Sequence, residues 1–316
     1  MLSKLSRLVI KHLAFASVCL FLLAASAHAQ SDSDINLKGA FDFRVHSSPD
    51  SMDRSIDADD VAQLAKEAGM RGIVLKNHWD STAALAYEVR RHVPGLEVFG
   101  GVVLNRSVGG INLEAVQHMA AMKGGVGKVV WMPTMDSQSF VTKLQENRPY
   151  VAVTKDGHIV PEVLEVIDFI AKHPDLVLET GHISGDEAAM IIHEAHARGV
   201  KHIVATNPTG IFVNMTPEQL KQAAADGAYL EFVYNSVIGK TPQRTIEVYA
   251  NSIKTVGPKY CLLGSDFGGA GPNAPKYYHP QALLNFMIAL HKQGISVDDI
   301  NMMAKINPAL ALGLKP

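Results

Sequence analysis

Cysteine is close to absent: the 316-residue chain has two, Cys19 and Cys261. Cys19 falls in an amino-terminal segment expected to be removed, and it lacks a Leu-Ala-Gly-Cys setting for lipid attachment. The mature chain would keep Cys261 alone, which excludes an internal disulfide and leaves stability to a packed core. An excess of charge of one sign is also missing. Lys and Arg number 29 against 31 Asp and Glu, a formal charge of −2, so there is no field to gather nucleic acid. A long hydrophobic run is missing too. The apolar stretch at residues 13–25 falls short of the roughly 20 residues a membrane-spanning helix needs, and no stop-transfer segment follows. No Pro/Ser-rich linker divides the rest.

What is present begins with Lys4, Arg7 and Lys11 ahead of that apolar stretch, then Ala27, His28 and Ala29. This is the pattern of a secretory signal peptide, residues 1–29, with the mature protein starting at Gln30 and exported to the periplasm or medium. Hydrophobic content of 47% with 19% charged residues marks residues 30–316 as globular. Their length suits one eight-stranded barrel of about 250 residues.

From Gly39 onward, short β-branched runs alternate with longer segments of helical period, the pattern of parallel strands joined by helices. Strands are expected at 40–46, 72–78, 97–105, 128–133, 176–182, 202–208, 229–235 and 260–266. Helices are expected at 57–68, 81–92, 112–123, 161–172, 185–198, 216–225, 241–255 and 280–292, with a short helix at 297–305 near the end. Thr216-Pro217 and Thr241-Pro242 each place a capping hydroxyl before a proline at the first helical position. Gly69, Gly199 and Gly294 stand where left-handed C-caps belong. Residues 134–160 hold a Lys155-Asp156-Gly157 turn and read as a β-hairpin inserted after strand four. The expected fold is α/β, a single (β/α)8 TIM barrel with that insertion.

Active sites of such barrels lie at the carboxyl ends of the strands, so polar residues there require a reason. Asp42, Arg44 and His46 share one side of strand one at period two, and Lys76 and His78 do the same on strand two. His182, Asn207 and Asp266 end strands five, six and eight, and Glu231 lies in strand seven. Imidazole and carboxylate suit Zn, Mn or Fe, and a catalytic metal needs about three protein ligands with one open position. His46, His182 and Asp266 supply that minimum, with one zinc the first expectation. Asp266 could also move the proton of a metal-bound water. Lys76 has three readings: a carbamylated metal bridge, a Schiff-base nucleophile, or a cation paired with Asp42 or Glu231. Each strand-end histidine has a plain alternative as a hydrogen-bonded structural imidazole.

The segments 41–50, Val74-Leu75-Lys76-Asn77-His78, 99–105, Trp131-Met132-Pro133-Thr134, Thr180-Gly181-His182, Gly264-Ser265-Asp266 and Asn307-Pro308-Ala309 together resemble the amidohydrolase superfamily of metal-dependent TIM-barrel hydrolases. The likeness is closest to one of its bacterial branches. It implies a divalent metal, held by His46, His182 and Asp266. Two departures stand out. The superfamily's strand-one motif is His-x-His, and Arg44 occupies its first position; Asn207 stands where a strand-six histidine is usual. Lys76 would have to replace, from strand two, a bridging residue usual on strand four.

Three functions follow as expectations. The first is an exported metal-dependent hydrolase of a small amide, ester or lactone, with Asp266, Lys76 and His78 catalytic and Arg44, Asn105, Asn207 and Glu231 binding substrate. The second is a degenerate barrel that binds a small molecule. The third is a lyase or decarboxylase using Lys76 or a metal. The expected partner is a small-molecule substrate, without nucleic acid or stable membrane insertion, and a homo-oligomer is left open.

Overall fold

The computed structural model describes residues 34–238, 242–270 and 280–316. The expected signal peptide and the Thr241 cap therefore lie outside the described residues. Eight parallel strands form the barrel: β1 Phe41–Val45, β2 Gly72–Leu75, β3 Glu97–Val103, β4 Gly127–Trp131, β7 Val177–Glu179, β8 His202–Thr206, β9 Tyr229–Val233 and β10 Cys261–Gly264. They neighbour one another in that order, and a parallel bridge between Val45 and Phe267 joins the last to the first. The expected (β/α)8 architecture is present, and Ile35–Pro316 forms one unit. Among the described residues no helix is long and apolar enough to cross a membrane.

Two apolar layers hold it. An inner cluster includes Phe41, Phe43, Val74, Val129, Trp131, Val177, Val204 and Leu262. The alternate strand residues, such as Ile73, Leu75, Val130, Leu178, Ile203 and Leu263, join the larger cluster under the helices. Ala309, Ala311 and Leu312 belong to the inner cluster, placing the last helix, Asn307–Ala311, across the barrel floor. Asn307 fixes it there by donating to the carbonyls of Pro258 and Cys261, at 3.0 and 2.6 Å.

The strands end one to three residues earlier than the sequence suggests. Gly181, Asn207 and Asp266, just beyond β7, β8 and β10, have φ of 63°, 38° and 56°. A left-handed residue cannot continue a ladder, so these positions leave the sheet and form the rim of the mouth. Strand one departs in a second way. Its register against β2 is irregular between Asp42 and Val45, on either side of Arg44. Phe41 and Phe43 pack in the inner cluster, yet Arg44 reaches inward-facing carboxylates as well.

The hairpin insertion is present as β5 Thr154–Lys155 and β6 His158–Ile159, paired antiparallel. Asp156 and Gly157 have φ of 50° and 79°, the doubly positive pair that a two-residue hairpin turn requires. The same region adds an unforeseen helix, Gln138–Lys143, capped by Ser137. Thr216 caps Pro217–Ala225 reciprocally with Gln219, as its sequence indicates. The helix expected from 241 runs Ile246–Val256 instead.

Candidate active site

Arg44 is the centre of the mouth. It is 1% exposed and forms a close ion pair with Glu231; its Nη2 lies 3.4 Å from Glu179 Oε2 and its Nη1 3.9 Å from Asp266 Oδ1. A side chain at Gly264 would put its Cβ 2.9 Å from Glu231 Oε1 and 3.4 Å from Arg44 Cβ, so glycine at this point of β10 leaves room for the pair. Asp42 does not face a ligand. Its Oδ1 accepts from the backbone N–H groups of Ser265 and Arg44, at 2.8 and 3.2 Å, tying β1 to the chain beyond β10.

His46 and Asp266 meet across that seam, Nε2 to Oδ1 at 3.0 Å. Gly268 makes the approach possible, because a Cβ there would fall 1.8 Å from the His46 carbonyl. Burial pushes the Asp266 carboxyl up, but the His46 hydrogen bond and then the Arg44 charge overcome this and hold it well below the usual carboxylate range. Burial lowers His46 to about 4 against the opposing pull of Asp266. A neutral imidazole beside a carboxylate carries its single proton on Nε2, which donates to Asp266. Its Nδ1 is then an acceptor, and among the described residues it is buried without a hydrogen-bond partner.

His78 stacks on His46 with ring centroids 5.2 Å apart, and His182 lies 6.2 Å beyond. Burial, followed by the charge of Lys76, drives both His78 and His182 well below the ordinary imidazole range. Asn105 Nδ2 donates to Thr134 Oγ1 at 3.0 Å, which leaves the Thr134 hydroxyl hydrogen for His78 Nδ1 at 2.9 Å. His182 packs against two touching aromatic rings, Phe140 at 5.9 Å and Phe212 at 5.7 Å, and its Nδ1 is also buried without a hydrogen-bond partner among the described residues. A cavity of about 730 Å³ borders this row; Trp79 and Phe140, which line it, also contact the His78 and His182 rings.

Two expected substrate contacts are committed to the fold. Asn105 donates to the His78 carbonyl and Thr134 Oγ1 and accepts from the N–H groups of Thr134 and Asp136, which fills its amide. Asn207 accepts from Tyr249 Oη at 2.5 Å and donates to Ser236 Oγ at 2.9 Å. Arg44 and Glu231 neutralise each other. Lys76 is paired with neither Asp42 nor Glu231; it lies against His78 and the Trp131 ring.

The three expected metal ligands, His46, His182 and Asp266, are not drawn together as one ion-holding group. Among the described residues no three His, Cys, Asp or Glu side chains form a group able to hold an ion. The cause is local. Asp266 Oδ1 is engaged by the His46 Nε2–H, and a dication there would sit beside the fixed Arg44 charge, where like charges repel strongly.

Glu179 is the site residue that the strand pattern concealed. It ends β7 fully buried, accepting from Thr206 Oγ1 at 2.8 Å and facing Arg44; burial raises its carboxyl against the pull of Arg44. The one signal was a carboxylate inside the otherwise apolar Val177-Leu178-Glu179, three residues before His182.

The profile of a family described as a family of unknown function (DUF6282) matches residues 39–231. Curated proteins gave no match. Similar solved structures include the organophosphorus hydrolase from Deinococcus radiodurans, at 15% identity over 90% of this chain and 96% of that one, TM-score 0.58. A mutant of that hydrolase gives 15% identity, 90% and 97% coverage, and TM-score 0.59. A structure from work on engineering organophosphate hydrolysis from a weak promiscuous lactonase template gives 16% identity, 89% and 97% coverage, and TM-score 0.59. At these identities the likeness shows a shared barrel fold.

Proposed function

The chain belongs to the DUF6282 family, a family of unknown function, and we propose that it is an exported hydrolase of small esters or lactones. The observation that carries this is the His46–Asp266 pair at the barrel mouth, which leaves His46 Nδ1 as a buried acceptor without a partner among the described residues. Water placed at Nδ1 loses a proton to the imidazole as its oxygen attacks the substrate carbonyl. Asp266 holds the Nε2–H and stabilises the imidazolium that forms. Arg44 Nε is a buried donor without a partner among the described residues, suited to the oxyanion that develops. Return of the proton to the leaving oxygen gives acid and alcohol. Solved structures of similar fold carry hydrolase and lactonase descriptions, which supports the substrate class.

Turnover of a panel of aryl esters and small lactones, before and after dialysis against chelator, tests the reading. Hydrolysis by the wild type that survives chelation and is lost in His46→Gln supports it. The close pairing of Arg44 with Glu231, the filled amide of Asn105 and the engaged amide of Asn207 favour a second reading, a barrel that binds a small molecule without turnover. Ligand-dependent rises in Tm without hydrolysis would establish that reading instead. Export is supported by the signal-peptide pattern of residues 1–29, and amino-terminal sequencing of periplasmic protein should begin at Gln30.

A further inference from the structure

Lys76 is a buried, chemically competent group that the hydrolytic mechanism does not use. It follows β2 directly, is 1% exposed, and places Nζ 3.4 Å from His78 Nδ1 and 5.8 Å from the centroid of the Trp131 ring. A lysine serving only structure in such a place needs a carboxylate. Here Glu231 is taken by Arg44, Asp42 accepts from the Ser265 and Arg44 backbone, Asp266 accepts from His46, and Glu179 accepts from Thr206. Among the described residues, Nζ has no ion-pair partner. The groups around it that bear charge are Arg44 and Arg54, which disfavour the ammonium, and Asp266 and Glu179, which favour it; His46, His78 and His182 are neutral neighbours.

Burial, then the Arg44 charge, brings the amine down to about 7, so a large share of it is unprotonated at neutral pH. An ordinary lysine, with a pKa of about 10.4, is protonated almost entirely there. Burial beside a second cation is a recognised way of making a lysine nucleophilic.

We propose that Lys76 forms a Schiff base with a small aldehyde or ketone entering the barrel mouth. The Nζ lone pair forms a bond to the carbonyl carbon as the C=O π pair moves to oxygen, giving a carbinolamine. The oxygen takes a proton and leaves as water while the second C–N bond forms. Amine plus carbonyl thus gives imine plus water, with no oxidant or reductant. Water carries the proton released by nitrogen to the departing hydroxyl. Uptake of a solvent proton by the imine gives the iminium, whose charge the Trp131 face and the Asp266 and Glu179 carboxylates accommodate. This inference goes beyond the hydrolytic reading and does not depend on it.

The test is reductive trapping on the purified full-length protein near neutral pH, with limiting propionaldehyde or pyruvate and sodium cyanoborohydride, followed by peptide mapping. The expected result is a single reduced adduct on the peptide containing Lys76, formed roughly tenfold or more faster than on exposed lysines such as Lys66 and Lys221. Lys76→Arg should remove this adduct. Label spread over the exposed lysines with Lys76 unmodified overturns the proposal. That result comes from wild-type protein, so a variant that fails to fold cannot obscure it. Ester turnover is read separately, and its presence or absence leaves this outcome unaffected.

Discussion

Asp266 Oδ1 accepts the His46 Nε2–H at 3.0 Å and lies 3.9 Å from Arg44 Nη1, so one carboxylate oxygen faces both an imidazole and a guanidinium. The guanidinium is built into strand one, and its charge cannot be titrated away at working pH. It is therefore a permanent partner for the Glu231, Glu179 and Asp266 carboxylates.

This relationship predicts that Arg44→His will create metal affinity. Removing the guanidinium frees Glu231, Glu179 and Asp266 from their shared cation and adds an imidazole two residues before His46. Calorimetric zinc titration should show weak or no binding to the wild type and at least tenfold tighter binding to Arg44→His. Equal affinities would show that Arg44 does not keep the ion out.

The Arg44–Glu231 pair is fully buried, so removing one partner should be costly. Glu231→Gln strands a guanidinium that retains only Glu179 and the more distant Asp266. Breaking a buried pair in this way costs about 3 to 5 kcal/mol, and the remaining carboxylates place this case near the lower figure. Arg44→Met combined with Glu231→Gln should recover much of the loss. Urea unfolding of the three variants measures it, and a Glu231→Gln midpoint equal to wild type would contradict the pairing.

The barrel was legible in the sequence because its evidence is periodic: alternating strands, helical runs, and Thr216 and Gly69 at their caps. The ends of the strands were less so. Asp266 and Asn207 adopt positive φ as single residues, which no alternation announces. His46, Lys76, His78, His182 and Asp266 do gather at one mouth, but their contacts depend on partners far along the chain. Asn105 looked like a rim amide available to substrate; Thr134 and Asp136, about thirty residues away, fill it. Glu179 was hidden because its neighbours are apolar, and its role emerges only when β1 brings Arg44 beside it. The irregular register of β1 around Arg44 leaves no mark in a period-two pattern.

If His46 is the base, its lowered pKa fixes the acid limb of the activity. The imidazole stays neutral until pH approaches about 4, so kcat/KM should hold through pH 6.5, where an ordinary histidine would protonate, and fall only toward 4. Asp266→Asn should lower kcat by about 10³ to 10⁴, because the amide can turn its NH₂ toward His46 and favour the wrong tautomer. A pH profile of wild-type ester hydrolysis checks the first part. An acid limb near 6.5 would move the base from His46 to a less buried group.

Lys76 should make the protein less stable at neutral pH than it would be without it. Its pKa is about 7 when folded, against an ordinary lysine value of 10.5 when unfolded. Between those values the unfolded chain binds more protons, so stability rises as pH rises from 7 toward 10.5 and the penalty is complete below 7. Lys76→Met keeps the volume and removes the charge. It should therefore stabilise the fold by several kcal/mol at pH 6, an order of magnitude set by the size of the shift. The gain should shrink steadily as pH is raised to 9 and beyond. Urea midpoints of wild type and Lys76→Met at pH 6 and 9 decide this. A variant less stable than wild type at pH 6 would mean that the ammonium is paired when folded, which would also remove the basis for a neutral, nucleophilic Lys76.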